Sequence, residues 1–364
     1  MTGTAMTGTE GFLGWHTRCA LREQGVDTTR VAVGDGFALD QARTSIDGAD
    51  RLIHIAGVNR GTDDETREGN VLFATQVADA VRSAERPPRN IVYANSTQAR
   101  NGTPYGEGKA RAAGILADAA SAVGAKFIDI PLPNLYGEHG RPFYNAVTAT
   151  FCHLLANGGD PKVEVDRELT LLHAQDAADL LTGARDESSL DDLVAHETVT
   201  GLLARLERIS ATYSTGDIPD IASDFDRNLF NTYRSYTFDT QTPIRLTRHA
   251  DARGSFFEVV RSHGGTGQSS FSTTGPGVTR GDHFHRRKVE RFTVLAGKGT
   301  ISLRRLFTDQ VHAFDVSGDE PVAIDMPTMW AHNIVNTGED SLYTSFWAND
   351  IFNPEAPDTI PEVV

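Results

Sequence analysis

The hydrophobic pattern of this 364-residue chain changes once, near Thr240-Gln-Thr-Pro243, and that change restricts the fold more than any single motif. Before it, short apolar runs (50–57, 90–94) alternate with stretches of helical period (15–24, 70–82, 104–122). Such alternation predicts a parallel, doubly wound sheet whose ligands sit at the carboxyl ends of its strands. After it come short strands separated by Gly and Asp turns, the pattern of a β-sandwich or barrel. The reading is two domains, 1–243 and 244–364, which suits the length.

Composition narrows the partners. A formal net charge of −15 argues against nucleic acid or an anionic membrane surface as the main partner, while leaving room for a local basic pocket. Cys19 and Cys152 are the only cysteines, which excludes a disulfide framework and a four-cysteine zinc site. No apolar run reaches membrane-spanning length and no signal-peptide pattern opens the chain, so a cytoplasmic setting is expected.

The first domain carries two local signals of chemistry. Gly8, Gly11 and Gly14 have the spacing that lets backbone amides at a helix N-terminus approach a pyrophosphate. The strand before Gly8 is short. Val31-Ala-Val33 is expected as the second strand, and Asp35 just after it sits where an acidic residue can bond an adenosine ribose. Tyr105 and Lys109 are four apart and share a helical face. An ammonium beside a phenol lowers its pKa, and the tyrosine can then pass a proton to a carbonyl oxygen. Ser96 or Thr97, in the loop expected after strand 90–94, offers a hydroxyl to orient that carbonyl.

The second domain has one dense motif. His283 and His285 lie two apart and so project from one face of a strand. Glu290 follows after a polar link, and His332 comes later between apolar residues. Three imidazoles and a carboxylate suit a divalent metal with an open position. The set does not choose between zinc, iron, manganese and nickel.

These residues carry resemblances. Thr7-Gly-x2-Gly-x2-Gly14 and Tyr105-x3-Lys109, with 52–57, Pro133-Asn134-Leu-Tyr-Gly137 and 169–176, resemble an extended short-chain dehydrogenase/reductase. The resemblance implies a Rossmann domain with Tyr105 as acid, Lys109 as its partner and Ser96 (or Thr97) orienting the carbonyl. It implies a cofactor held by Gly8, Gly11, Phe12, Leu13, Gly14, Asp35, Ala56, Gly57, Lys109 and Asn134. The stretch from Gly277 to Gly297 resembles the first cupin motif at every spacing. The segment from Pro327 to Asn336 resembles the second, with Met329 in place of its glycine. Together they imply an all-β cupin domain binding Zn2+ through His283, His285, Glu290 and His332. With the metal on His283, Glu258 becomes the candidate base there; its other reading is an ion pair with Arg253.

Reductase followed by cupin, with Ala56-Gly-Val-Asn-Arg60, Arg253-Gly-Ser-Phe256 and Phe352-Asn-Pro-Glu-Ala-Pro-Asp358, resembles bifunctional capsular polysaccharide biosynthesis enzymes. That family implies C3 epimerisation of a UDP-linked 4-keto-6-deoxy-N-acetylhexose by the cupin. NADPH-dependent reduction of the C4 ketone to UDP-N-acetyl-6-deoxy-L-talose follows, on the route to UDP-N-acetyl-L-fucosamine, by a homodimer. Gly34-Asp35 would repel a 2′-phosphate, so NADH remains an alternative cofactor. Other readings are a nucleotide-sugar 4,6-dehydratase or epimerase, a cupin that serves only dimerisation or sugar recognition, and a cofactor-sensing regulator.

Overall fold

The computed structural model describes residues 3–364; the first two residues of the predicted first domain lie outside them. Five strands form a parallel sheet in the order β2-β1-β3-β4-β5: β1 (Thr4–Thr7), β2 (Thr28–Arg30), β3 (Arg51–His54), β4 (Asn90–Ser96) and β5 (Lys126–Leu132). They alternate with helices α1 (Phe12–Glu23), α2 (Leu39–Ile46), α3 (Asp63–Ser83) and α4 (Pro104–Val123). Successive strand residues face opposite sides, so Leu52 and Ile91 join one core with Val77, Val81 and Leu116. Ile53 and Val92 join the other, with Met6, Ile130 and Leu181.

The brevity of β1 is real, but every residue of it is buried and it pairs on both edges. The second strand is Thr28–Arg30 rather than the expected Val31–Val33. Its register against β1 (Thr4↔Thr28, Met6↔Arg30) runs out because β1 ends at Thr7. Only the Val31 amide still bonds across, to the Met6 carbonyl at 2.8 Å. Helix α3 begins seven residues before the expected Asn70, where Thr62 and Glu65 form a reciprocal capping box.

Next come β6 (Asn134–Tyr136), α5 (Val147–Ala156), β7 (Glu168–His173), α6 (Ala174–Thr182), α7 (Leu190–Leu193) and β8 (Ala195–Thr198). Helices α8 (Val199–Tyr213) and α9 (Asp224–Gln241) follow. The predicted polar helical stretch 181–208 is thus broken by β8 and short turns. Contacts gather the described residues up to Tyr136 with Leu169–His196 into one compact unit, and Gly137–Glu168 with Glu197–Val364 into another. That line differs from the 243/244 division by strand type, because helices α8 and α9 pack against the later strands. The Phe238 ring lies 4.7 Å from Trp330, and Tyr213 donates its hydroxyl to Asp325 at 2.9 Å.

The second unit is all-antiparallel from residue 244 onward. One sheet runs β12 (Gln268–Thr274), β19 (Leu342–Ala348), β14 (Glu290–Ala296), β17 (Val322–Met326), β9 (Ile244–Arg245). The other runs β16 (Val311–Ser317), β15 (Lys298–Arg305), β18 (Trp330–Asn336), β13 (Thr279–Phe284), β20 (Ile360–Pro361). A hairpin of β10 (His249–Asp251) and β11 (Gly254–Phe256) completes it. Phe292, Val294, Ile301, Leu303 and Ile334 from both sheets share one core. Among the described residues, no helix is long and apolar enough to cross a membrane.

Candidate active site and candidate metal centre

In the first unit the glycine turn joins β1 to α1. Gly8 has φ +70°, and a Cβ there would lie 2.8 Å from the Ala56 amide nitrogen. A Cβ on Gly14 would lie 1.9 Å from the Gly8 carbonyl oxygen, so only glycine lets the helix sit this close to the strand end. Gly11 caps α1 without a side chain, which leaves the amides around Phe12 and Leu13 no side-chain acceptor. A phosphate oxygen is the complement such a terminus takes. Ala56 and Gly57 follow β3, the neighbour of β1, and the Ala56 amide donates to Thr7 Oγ1 at 3.1 Å. Asp35 is exposed on the turn after β2, and Gln76 holds that turn by accepting from the Gly34 amide at 2.7 Å. Asn134 donates to the Thr170 carbonyl at 3.2 Å.

Ser96 closes β4 instead of opening a loop, and Thr97 starts an exposed turn. The Ser96 side chain lies close enough to oppose the rise of the Tyr105 phenol, and its Oγ accepts from the Gln98 amide at 3.2 Å. Thr103 caps α4 and Pro104 fills its first turn, so Tyr105 stands at the helix start. Lys109, one turn on, is 4% exposed. Its ammonium donates to the Ala94 carbonyl at 2.7 Å and sits 4.1 Å above the Tyr93 ring. Burial pushes Lys109 down to about 7, with Asp129 working the other way. The expected lowering of the Tyr105 phenol by this lysine is not found. Burial raises that phenol above its ordinary value, and only Ser96 opposes the rise. Sequence reasoning missed Asn95, whose amide donates to Asp129 at 3.1 Å while its carbonyl oxygen accepts from the Ser96 amide at 2.8 Å.

In the second unit four residues from both sheets converge. A bulge at Gly281–His283, with Gly281 at φ +106° and Asp282 at φ +56°, re-aims β13 so that His283 pairs across from His332 on β18. Glu290 arrives from the first residue of β14. His283, His285, Glu290 and His332 each offer a ligand atom within 4.8 Å of all the others. His285 Nε2 lies 2.9 Å from Glu290 Oε2, and His332 Nε2 lies 3.5 Å from the same oxygen. Burial pushes His283 down to about 3, helped by the neighbouring imidazoles. Burial also lowers His332. For Glu290 burial acts upward, but the bonds and charges of His285 and His332 outweigh it and hold the carboxyl well below its usual range. His332 Nε2 is buried, and its nearest acceptor is Glu290 Oε2 at the long distance of 3.5 Å. Three imidazoles and a carboxylate gathered this closely are a donor set that a divalent cation would satisfy, so these residues fit a metal.

Met329 keeps the turn its glycine counterpart would make. It adopts φ +61° while fully buried, and its amide donates to the His285 carbonyl at 2.6 Å. Glu258 is not brought to this cluster. It is exposed and accepts from Arg261 at 2.5 Å, beside a cavity of about 420 Å3 that Asp217 and Arg245 also line. The expected pairing with Arg253 is replaced as well, since Arg253 bonds Asp251 two residues away at 2.5 Å.

Comparison with known proteins gives these folds a family. Residues 4–191 match the NAD dependent epimerase/dehydratase family, and residues 249–360 match the polysaccharide biosynthesis C-terminal domain. The UDP-2-acetamido-2,6-beta-L-arabino-hexul-4-ose reductase of Pseudomonas aeruginosa is 30% identical over 97% of this chain and 96% of its own. The spore coat polysaccharide biosynthesis protein SpsL of Bacillus subtilis is 28% identical over 31% of this chain and 82% of its own. The crystal structure of the capsular polysaccharide assembling protein CapF from Staphylococcus aureus is similar over 100% of both chains, at 30% identity and a TM-score of 0.63. The chain therefore belongs to the NAD dependent epimerase/dehydratase family, in the two-domain form that carries a polysaccharide biosynthesis C-terminal domain and includes the Pseudomonas aeruginosa reductase.

Proposed function

We propose that this protein epimerises C3 of a UDP-linked 4-keto-6-deoxy-N-acetylhexose in its β domain and reduces the C4 ketone with NADPH in its Rossmann domain. The product would be UDP-N-acetyl-6-deoxy-L-talose, and the working form a homodimer. The relative from Pseudomonas aeruginosa is named for a UDP-linked hexul-4-ose, a sugar with its ketone at C4. That ketone acidifies the proton on C3, the bond an epimerase must break. The observation that carries the reading is the convergence of His283, His285, Glu290 and His332 in a chain that also carries Tyr105 and Lys109 one turn apart at the start of α4.

For reduction, a nicotinamide bound at the glycine turn would supply a hydride to C4. Tyr105 gives its phenolic proton to the C4 oxygen, Ser96 orients that oxygen through its hydroxyl, and Lys109 supports the tyrosine from one turn away. Gly8, Gly11 and Gly14 make room for the cofactor pyrophosphate against α1. In the β domain the four residues would hold Zn2+, which when bound supplies Lewis-acid stabilisation of charge beside a carbonyl, worth several kcal/mol in general. Glu258, exposed and paired with Arg261, is left out of the proposed site.

The test is incubation of a UDP-4-keto-6-deoxy-N-acetylhexose with the protein in deuterated water, read by mass spectrometry and NMR. Deuterium at C3 without cofactor, and a 4-hydroxy sugar once NADPH is added, are expected. Reduction without C3 exchange would sink the epimerase and leave the β domain a binding module. Parallel titration decides the cofactor: tighter NADH than NADPH binding would overturn NADPH and point to Asp35. Light scattering giving a monomer would remove the dimer.

A further inference from the structure

The segment around Asp358 lies far in sequence from the metal cluster yet touches it twice. The Asp358 carbonyl is 2.5 Å from His285 Nδ1. A carbonyl can only accept, so Nδ1 carries the proton. Nε2 is then the ring nitrogen left to face the cluster, 2.9 Å from Glu290 Oε2. The Asp358 carboxylate makes three further bonds. Its Oδ1 accepts from the Arg286 amide at 2.9 Å, and its Oδ2 accepts from Arg287 and Lys288, each at 2.8 Å. Those amides form the link between His285 and Glu290, so one side chain sets the separation of two cluster members. Asp358 adopts φ +43°, a conformation Asp tolerates better than most residues with a Cβ. The chain then continues into β20, which pairs with β13 at His283↔Pro361 and Phe284↔Ile360.

We propose that Asp358 is a positioning residue for the metal centre: its carbonyl fixes His285 as the Nε2 ligand, and its carboxylate clamps the 286–288 turn that spaces His285 from Glu290. The proposal rests on the reading of the four-residue cluster as a metal site. Partners in this outer position orient the ligand ring, and losing one typically weakens metal binding about 10–100-fold.

The experiment uses the full chain with Asp358→Asn, Asp358→Gly and, as a control on the same segment, Glu362→Gln, which removes a 2.8 Å ion pair with Arg304. Zinc affinity is measured by competition with a chromophoric chelator, and ligand geometry by the absorption of the Co2+-loaded protein. Unfolding of the metal-free form reports stability separately. Both Asp358 variants are expected to bind zinc about 10–100-fold more weakly with an altered Co2+ spectrum, and Glu362→Gln to match the parent. A folded Asp358 variant with parental zinc affinity and Co2+ spectrum would overturn the proposal. So would a variant whose only change is lower stability of the metal-free chain. Should Asp358→Gly fail to fold, Asp358→Asn, of nearly identical shape, decides. Absence of stoichiometric zinc or cobalt uptake by the unmutated protein overturns the metal reading itself, and this proposal with it. That result is seen without any variant.

Discussion

Lys109 is costly to fold around, and replacing it with methionine should separate stability from activity. Its ammonium is 4% exposed and burial takes it from 10.5 to about 7. Folding therefore opposes the charge at every pH below the folded value. Between about 7 and 10.5 the unfolded chain binds the extra proton, so stability rises with pH across that window; above it the penalty is gone. At about 1.4 kcal/mol per pH unit, the penalty at pH 6 is on the order of 5 kcal/mol. The bond to Ala94 and the position over the Tyr93 ring return part of this, about 1–3 kcal/mol together. Lys109→Met keeps the aliphatic stem and removes the charge. The cofactor-free variant should gain about 2–4 kcal/mol at pH 6, and the gain should shrink or reverse by pH 10. Reductase turnover should fall by at least about 10²-fold. Urea unfolding of both proteins at the two pH values measures the difference directly. A variant less stable than the parent at pH 6, or a gain that does not change with pH, would refute the reasoning.

Gly14→Ala places a Cβ 1.9 Å from the Gly8 carbonyl, backbone against backbone. It should cost about 1–3 kcal/mol and weaken nicotinamide binding at least tenfold by fluorescence titration; parental affinity would show that the turn does not hold the cofactor. Asp325→Ala strands the buried Arg291, which it holds by bonds of 2.6 and 2.9 Å. A loss of about 3–5 kcal/mol is expected in thermal or urea unfolding, and the double change Arg291→Met with Asp325→Leu should recover most of it. The Asp325 carboxyl is held below its ordinary 3.8, where burial alone would raise it but Arg291 outweighs that. Its contribution is thus full above about pH 4 and lost as pH falls through the lower folded value, a dependence the double variant should lack. Removing bound metal with a chelator should abolish C3 exchange in deuterated water while leaving NADPH binding intact; persistence of exchange would place the epimerase chemistry outside the cluster.

What could be read in the sequence was what is local in the chain. Gly8, Gly11 and Gly14 crowd one turn, and Tyr105 and Lys109 lie one turn apart on one helix; His283 lies on β13 and His285 just past it, after a bulge. Helix α3 could have been started correctly, since Thr62 and Glu65 spell a capping box three residues apart. The second strand could not, because its end is set by its pairing against β1, which stops at Met6↔Arg30. The same distinction explains the lysine. Its spacing from Tyr105 is a property of the helix, but its charge state is set by burial, which lowers it, and by Asp129 on β5, which opposes that.

The His283–His285–Glu290–His332 cluster marks the boundary between the two kinds of information most clearly. Its four residues stand in a motif, yet their convergence does not follow from it alone: a bulge at Gly281–His283 and a left-handed Met329 help place them, and the Asp358 carboxylate bonds the amides between His285 and Glu290. Met329 is the informative case. A β-carbon at φ +61° is strained, generally by about 1–2 kcal/mol, and a sequence reader would expect the turn to relax. It does not, because the Met329 amide is bonded to the His285 carbonyl and its side chain is fully buried. Burying a methionine is worth about 1.5–3 kcal/mol, enough to hold the backbone where glycine would have gone freely. The turn holds because packing, not local propensity, decides it, and His285, on the other end of that hydrogen bond, keeps its place in the cluster as a consequence.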